Sequence, residues 1–299
     1  MKIAILTDSS AYLTSQQLEE YKIDVIPIPL IWDNQIYRDM IDIKFEEFYH
    51  KLSEAENLPT TSQPSIGDFQ EYIDRYVEQG YTDVIVITIS SGISSFYSTL
   101  AAEKNNENRI KIHLFDSKVT CAGLAHEVLL AAKLVQAGAD ADTIIKYLTD
   151  FRDTIKVRFV VDDLKYLQRT GRLSNTASFV GSMLKIKPIL AMDVQNEGKI
   201  EAIAKERQYK RAYQHIKKDF ANSIASVSYP IESTVFDALD PDRKSDWLND
   251  YEESFPTVKL ESSIIGPVVG VHVGQHAIAM IWHRDIDSYF DDQGKIIDL

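Results

Sequence analysis

The side chains best suited to chemistry in this 299-residue chain are hydroxyls gathered in turns, together with one late histidine. The first group is Thr60-Thr61-Ser62-Gln63-Pro64-Ser65. The second, Ser90-Ser91-Gly92-Ile93-Ser94-Ser95, directly follows the apolar run Val84–Ile89. The histidine is His272, set between Gly270 and Gly274, which allow close backbone approach. Neutral donors at strand ends suit a carboxylate or phosphate that must be held without being attacked.

Each group also has an ordinary reading. A serine-rich turn caps the helix after it, because hydroxyls accept from free backbone N–H groups. Ser91 reads as that cap, which places Ser94 and Ser95 in the first helical turn, where free amides and the dipole favour an anion. Thr60-Thr61-Ser62 is a plain loop on one reading. On the other, Pro64 stiffens it and pushes Gln63 to extended geometry, so that Thr61 or Ser62 faces the Ser94 turn.

A serine esterase is the competing chemistry, with Ser94 as nucleophile, His272 as base and an aspartate such as Asp116 behind it. Its elbow wants G-x-S-x-G, whereas Gly92-Ile93-Ser94-Ser95-Phe96 has only the first glycine. The sequence contains no G-x-x-x-x-G-K-[ST], no H-E-x-x-H and no Cys–His ligand spacing, so no cofactor, nucleotide or metal is expected. His126, His276 and His283 lack the glycine setting of His272.

Composition narrows the class. With 44% hydrophobic and 26% charged residues the chain is ordinary for a globular protein, long enough for two modest domains. A net charge of −13 repels phosphate backbones and anionic membranes, so no nucleic acid is expected as main partner. Cys121 is the only cysteine, so no internal disulfide forms, as suits a reducing cytoplasm. The opening apolar run Ile3–Leu6 is too short for a signal peptide, and no stretch approaches the roughly 20 apolar residues of a membrane span. A cytoplasmic protein without stable membrane insertion is the expectation. One segment departs from the acidic background. Lys205, Arg207, Lys210, Arg211, Lys217 and Lys218 make a basic helix, with Arg169 and Arg172 in a glycine loop nearby. This is either a solvated face or a docking patch for an acidic partner or phosphorylated product.

The elements that must position these groups are legible as two α/β units. Over residues 1–155, strands alternate with amphipathic helices: Lys2–Thr7, Asp24–Leu30 at an edge because of Pro27 and Pro29, Asp83–Ile89 and Lys111–Phe115. Capping boxes at Thr14/Gln17 and Ser65/Asp68 open two helices, and Gly138 stops another that begins near Thr120. The alternation predicts a parallel sheet with crossover helices, and such sheets bind ligands beyond their carboxyl strand ends. Asp8-Ser9-Ser10, Ser90–Ser95 and Asp116-Ser117 all fall at that rim. Over residues 156–299 strands come in pairs. A hairpin turns at Asn196-Glu197-Gly198, and further strands are expected at Val157–Val161, Ser233–Leu239, Lys259–Ile265 and Ala277–Trp282. This predicts a second α/β domain with a mainly antiparallel sheet, the ligand lying between the two.

Taken in order, Thr7-Asp8-Ser9-Ser10, Pro59-Thr60-Thr61-Ser62-Gln63-Pro64, Ser90-Ser91-Gly92-Ile93-Ser94, Phe115-Asp116-Ser117-Lys118, Asp162-Asp163-Leu164, Gly171-Arg172-Leu173-Ser174 and Gly266-Pro267-Val268-Val269 resemble the DegV family over nearly the whole chain. The chain looks like its fatty-acid-binding members, the lipid-presenting subunits of bacterial fatty acid kinase. The resemblance implies a non-catalytic protein that holds a long-chain fatty acid in a tunnel and offers it to a separate kinase subunit. It implies hydrogen bonds from Thr61 and Ser94 to the carboxylate, with His272 close to it; Ser62 and Ser95, beside them in the same turns, are ligand-binding candidates from the residues alone. Arg172 and Arg207 match family arginines that meet the kinase. Ser95 and Phe96 depart from the commoner glycine and small polar residue. Val273, Gln275 and His276 depart from a threonine and a proline-glycine pair.

Overall fold

The first strand, β1 (Ile3–Asp8), is buried at every position, which is what a continuous apolar run does in the middle of a parallel sheet. The computed structural model describes residues 2–174 and 186–299. After a short 3-10 turn at Ser9–Ala11 come α1 (Ser15–Tyr21), opened by the Thr14/Gln17 capping box, and β2 (Ile23–Ile26). The expected strand Asp24–Leu30 is in fact two. Pro27 and Pro29 remove backbone donors, so the chain leaves the parallel sheet and starts again as β3 (Pro29–Trp32). Asp33 and Asn34, both at positive φ, then turn it tightly into β4 (Gln35–Arg38).

After α2 (Phe45–Ser53), β5 (Thr60–Thr61) pairs with the other edge of β3, opposite Leu30 and Ile31. The threonine pair is therefore a short strand of a three-stranded antiparallel sheet. Next follow α3 (Ile66–Glu78) behind its Ser65/Asp68 capping box, β6 (Asp83–Thr88), α4 (Phe96–Glu103) and β7 (Lys111–Asp116). Strands β2, β1, β6 and β7 lie in that order, all parallel.

Two helices, α5 (Cys121–Gln136) and α6 (Ala141–Thr154), lead into β8 (Lys156–Val160) and the short α7 (Lys165–Arg169). The hairpin expected around Asn196-Glu197-Gly198 is formed by β9 (Lys187–Asp193) and β10 (Ile200–Glu206). The basic segment becomes α8 (Tyr209–Ala225). The chain continues as β11 (Ile231–Asp237), α9 (Pro241–Ser254), β12 (Lys259–Ile264), α10 (Pro267–Val273) and β13 (Ile278–Arg284). This second sheet runs β10-β9-β8-β13-β11-β12, antiparallel except for β11 with β12. The protein is thus α/β, with a parallel sheet early in the chain and a mainly antiparallel one late.

Helix α5 explains how the two sheets meet. It is buried nearly all round, on a largely apolar surface that also carries the buried His126 and Glu127. One side lies on β1 and β6, and another reaches β12. Gly123 lets it sit so close to β13 that a Cβ there would come within 2.5 Å of Ile281 Cδ1. The main hydrophobic cluster accordingly runs from Ile5 and Ile87 through Leu124 and Val128 to Ile281 without a break at residue 155. Among the described residues no helix is long and apolar enough to cross a membrane.

Candidate ligand cavity

The rim of the parallel sheet is built by carboxylates that work inward. Asp8, at the end of β1, accepts from the backbone N–H of Ile89 (2.6 Å), from Ser10 N (3.1 Å) and from Ser10 Oγ (2.6 Å). Burial raises its pKa, while those hydrogen bonds pull it down. Asp116, at the end of β7, accepts from Ser91 N (2.9 Å), from Ser91 Oγ, and from Lys118 Nζ (2.7 Å). These aspartates fasten the 90–95 turn to the strand ends and are not free to meet a ligand.

That engagement changes the expected cap. Ser91 is held by Asp116, so α4 starts only at Phe96, with Ser95 as its first flanking residue. Ser94 lies outside the helix and accepts from Phe96 N (3.2 Å) through its Oγ. An oxygen that accepts in this way keeps its own O–H free to donate elsewhere. Ser95 Oγ instead donates to Gln63 Oε1 (2.7 Å), which bridges the two hydroxyl turns.

His272 lies on α10, not in a loop. Residues from early in the chain hold that helix: Tyr49 Oη donates to Ile265 O (2.7 Å), Val269 N donates to Tyr12 Oη (3.2 Å) and Gln275 Nε2 donates to Tyr49 O (2.9 Å). Gly270 permits this, since a Cβ would fall 2.6 Å from Tyr49 Oη. The result brings His272 Nε2 to 2.9 Å from Thr61 Oγ1.

Thr61, Ser62, Ser94, Ser95, His272 and Arg172 all line one cavity of about 80 Å³, whose apolar walls include Ile28, Ile89 and Val269. The structure therefore gathers six of the seven sequence-derived positions. Arg207 is not among the lining residues and sits exposed between β10 and α8. Ser62 and Ser95 are exposed at the mouth, while Thr61, Ser94 and His272 are partly buried. Arg172 Nε donates to Ile93 O (3.2 Å), tying the glycine loop to the serine turn. Thr120 was not anticipated. It lines the cavity with an Oγ1 that is buried and finds no hydrogen-bond partner among the described residues. Its place just after Phe115-Asp116-Ser117-Lys118, at the sheet rim, was the available signal.

Burial pushes the His272 pKa down to about 3, and the positive charges of Arg172 and then Arg169 push the same way. The ring is neutral, with Nδ1 buried and unpartnered among the described residues. When Nε2 carries the proton it donates to Thr61 Oγ1, which frees the threonine O–H to point into the cavity. The esterase geometry is not assembled. His272 engages Thr61, Ser94 Oγ accepts from a backbone amide, and Asp116 is committed to Ser91 and Lys118.

A pH test follows. An unfolded chain protonates this histidine near its ordinary value of 6.5, whereas the folded chain refuses the proton until about 3. Acidifying from about pH 7 to about pH 5 should therefore cost the wild type up to about 2 kcal/mol through this ring alone. His272→Gln lacks that contribution, so the stability gap between the two proteins should shift by this amount in urea melts at the two pH values. Parallel pH dependences would show that the ring titrates normally.

The family model for DegV proteins, a group described as uncharacterised, matches residues 2–285. A DegV domain-containing protein of Halalkalibacterium halodurans is 36% identical over 282 residues, covering 94% of this chain and 98% of that one. The DegV protein of Bacillus subtilis is 35% identical over 286 residues, 94% and 99% of the respective chains. The crystal structure of B. subtilis DegV, described as a fatty acid binding protein, superposes with a TM-score of 0.87, covering 95% of this chain and 100% of that chain at 34% identity. A fatty acid binding DegV family protein from Streptococcus agalactiae gives a TM-score of 0.88 at 28% identity, covering 95% and 99%. The protein therefore belongs to the DegV family.

Proposed function

We propose that this protein binds one long-chain fatty acid, with its carboxylate held by Thr61 and Ser94, and presents it to a separate kinase for acyl phosphate formation. The observation that carries the reading is the cavity itself: uncharged hydroxyls of Thr61, Ser62, Ser94 and Ser95 share one lining with apolar residues such as Ile28, Ile89 and Val269, together with Arg172 and a neutral His272. Such a set satisfies a carboxylate without transferring a proton to it, and a buried carboxylate left unpaired would be heavily penalised. Relatives described as fatty acid binding proteins support the same ligand.

The affinity comes from the tail. A palmitate-sized chain buries on the order of 14 methylenes at about 0.8 kcal/mol each, roughly 11 kcal/mol before ordering costs. The present cavity of about 80 Å³ suits a head group and the first methylenes. Binding the full chain then includes parting of apolar walls such as Ile28 and Val269. Among the described residues nothing in the site activates a nucleophile, and the sequence has no phosphate-cradling loop of the Walker type, so on this reading phosphorylation falls to the partner. Arg172 at the mouth, and Arg207 further out, are the cations offered to that partner.

Solvent extraction of the purified protein followed by mass spectrometry should yield close to one fatty acid per chain. A delipidated sample that takes up neither palmitate nor oleate would sink the reading. With the kinase and ATP added, Arg207→Ala should keep its lipid and form acyl phosphate more slowly. An unchanged rate would remove Arg207 from the docking surface.

A further inference from the structure

His126, Glu232 and His283 stand far apart in sequence and form no spacing motif, yet the fold packs them together. Glu232 on β11 and His283 on β13 are directly opposed across the antiparallel pair. His126, on α5, lies over the same face, and its ring centroid is 4.4 Å from that of His283. All three residues are buried, with His126 4%, Glu232 0% and His283 0% exposed. One ligand-capable atom from each lies within 4.8 Å of the other two. None of the three lines the cavity around Thr61 and His272.

The hydrogen bonds around the two rings decide what they offer. His126 Nδ1 lies 2.7 Å from Ala122 O, and His283 Nδ1 lies 2.9 Å from Arg284 O. A carbonyl oxygen can only accept, so both Nδ1 atoms carry hydrogen. In the neutral rings each Nε2 then presents a lone pair toward the carboxylate, which also presents lone pairs. His283 Nε2 and Glu232 Oε2 are buried with no hydrogen-bond partner among the described residues. Acceptors converging in a dry interior require a cation between them. Imidazoles held by an Nδ1–H to a carbonyl, with Nε2 free, are arranged as metal-binding histidines are.

We propose that His126 Nε2, Glu232 and His283 Nε2 form a binding site for a zinc-class divalent transition metal. Two imidazoles and one carboxylate suit that class, with a fourth ligand from Glu261 or water. Glu261 Oε2 is already 3.5 Å from His126 Nε2. Metal–ligand bonds of about 2.0–2.2 Å in a tetrahedron place ligand atoms roughly 3.3 Å apart, so the side chains draw together on binding.

Two other cations compete for the carboxylate. One is a proton on His126: burial disfavours it, but the hydrogen bonds to Glu232 and Glu261 outweigh burial and lift that pKa to about 9. The other is Lys259, whose Nζ lies 3.0 Å from Glu232 Oε1. It also approaches Glu261 (3.7 Å), Asp285 (4.0 Å) and Asp287 (3.6 Å). It can therefore release Glu232 and keep carboxylate partners. Neither competitor reaches His283 Nε2, which stays unsatisfied in the ion-paired cluster. A metal satisfies all three residues and staples α5 to the second sheet.

The test is metal binding by the full chain, stripped with chelator and dialysed free of it. Zinc added at micromolar concentration should bind at one equivalent per chain and raise the Tm, and cobalt(II) should give the visible absorption of a nitrogen- and oxygen-ligated site. His283→Asn, checked for folding by circular dichroism, should bind roughly tenfold or more weakly. Lys259→Met, which removes the competing cation and leaves every ligand in place, should bind more tightly than wild type. Wild-type protein that takes up no zinc, with an unmoved Tm, overturns the site. So does a folded His283→Asn protein that keeps wild-type affinity, since zinc would then sit on surface histidines.

Discussion

Alanine at Gly198 is expected to cost about 3 kcal/mol or more of folding stability, and to loosen the ligand cavity with it. Gly198 closes the β9–β10 hairpin at a φ of +64°, where a side chain is strained by about 1 kcal/mol. Steric overlap costs more. A Cβ there would lie 2.3 Å from Ser90 Oγ, 2.4 Å from Lys118 O and 2.7 Å from Lys118 Cα. Two of those atoms are backbone at the rim of the parallel sheet and cannot swing aside. Across the contact, Gly92 is equally tight, with a Cβ 2.6 Å from Glu197 O and from Gly198 C. Ser90 Oγ seals the junction by donating to Gly198 O (2.8 Å). Gly138→Ala is the control. That residue also has positive φ, at +85°, but among the described residues nothing lies within 4 Å of a Cβ there, so only the conformational cost of about 1 kcal/mol applies. Urea midpoints of the two variants should differ clearly. Equal losses would show that the junction at Gly198 gives way.

Thr61→Val should weaken fatty acid binding roughly 10- to 150-fold, the equivalent of about 1.5–3 kcal/mol for a hydrogen bond to a charged group. Valine keeps the shape, so the fold should be retained at a cost of about 1–3 kcal/mol for the histidine left unpaired, while the hydroxyl at 2.9 Å from His272 Nε2 is removed. The carboxylate then loses a donor, and the histidine loses the oxygen it orients. Ser94→Ala should act in the same direction. Ser62→Ala should change affinity less than about threefold, because Ser62 is exposed at the mouth, where water replaces its hydroxyl. Titration of delipidated protein with oleate separates these outcomes. A Thr61→Val protein with wild-type affinity would move the head group elsewhere in the cavity.

These residues also show what sequence can and cannot disclose. Local signals suffice for the capping boxes at Thr14 and Ser65, the buried strands β1 and β6 and the 196–198 hairpin, because each is decided within a few residues. Pro27 and Pro29 read locally as an edge strand, and only the Asp33–Asn34 turn beyond them makes a separate hairpin. The cap expected at Ser91 fails for a tertiary reason: Asp116, on another strand, takes the hydroxyl first. The glycines around His272 mark it in the sequence, but its placement on a helix, and its bond to Thr61, depend on Tyr12 and Tyr49 far away in the chain. The His126–Glu232–His283 cluster leaves no local trace at all.

The donors that meet in the cavity come from positions 61, 94 and 272, and the last is carried by a helix clamped by Tyr12 and Tyr49. On the proposed function, a nascent chain leaving the ribosome would lack the complete head-group site until α10 has been made and packed. Loading would then be a post-translational event, and a chain truncated before α10 would be expected to hold lipid poorly.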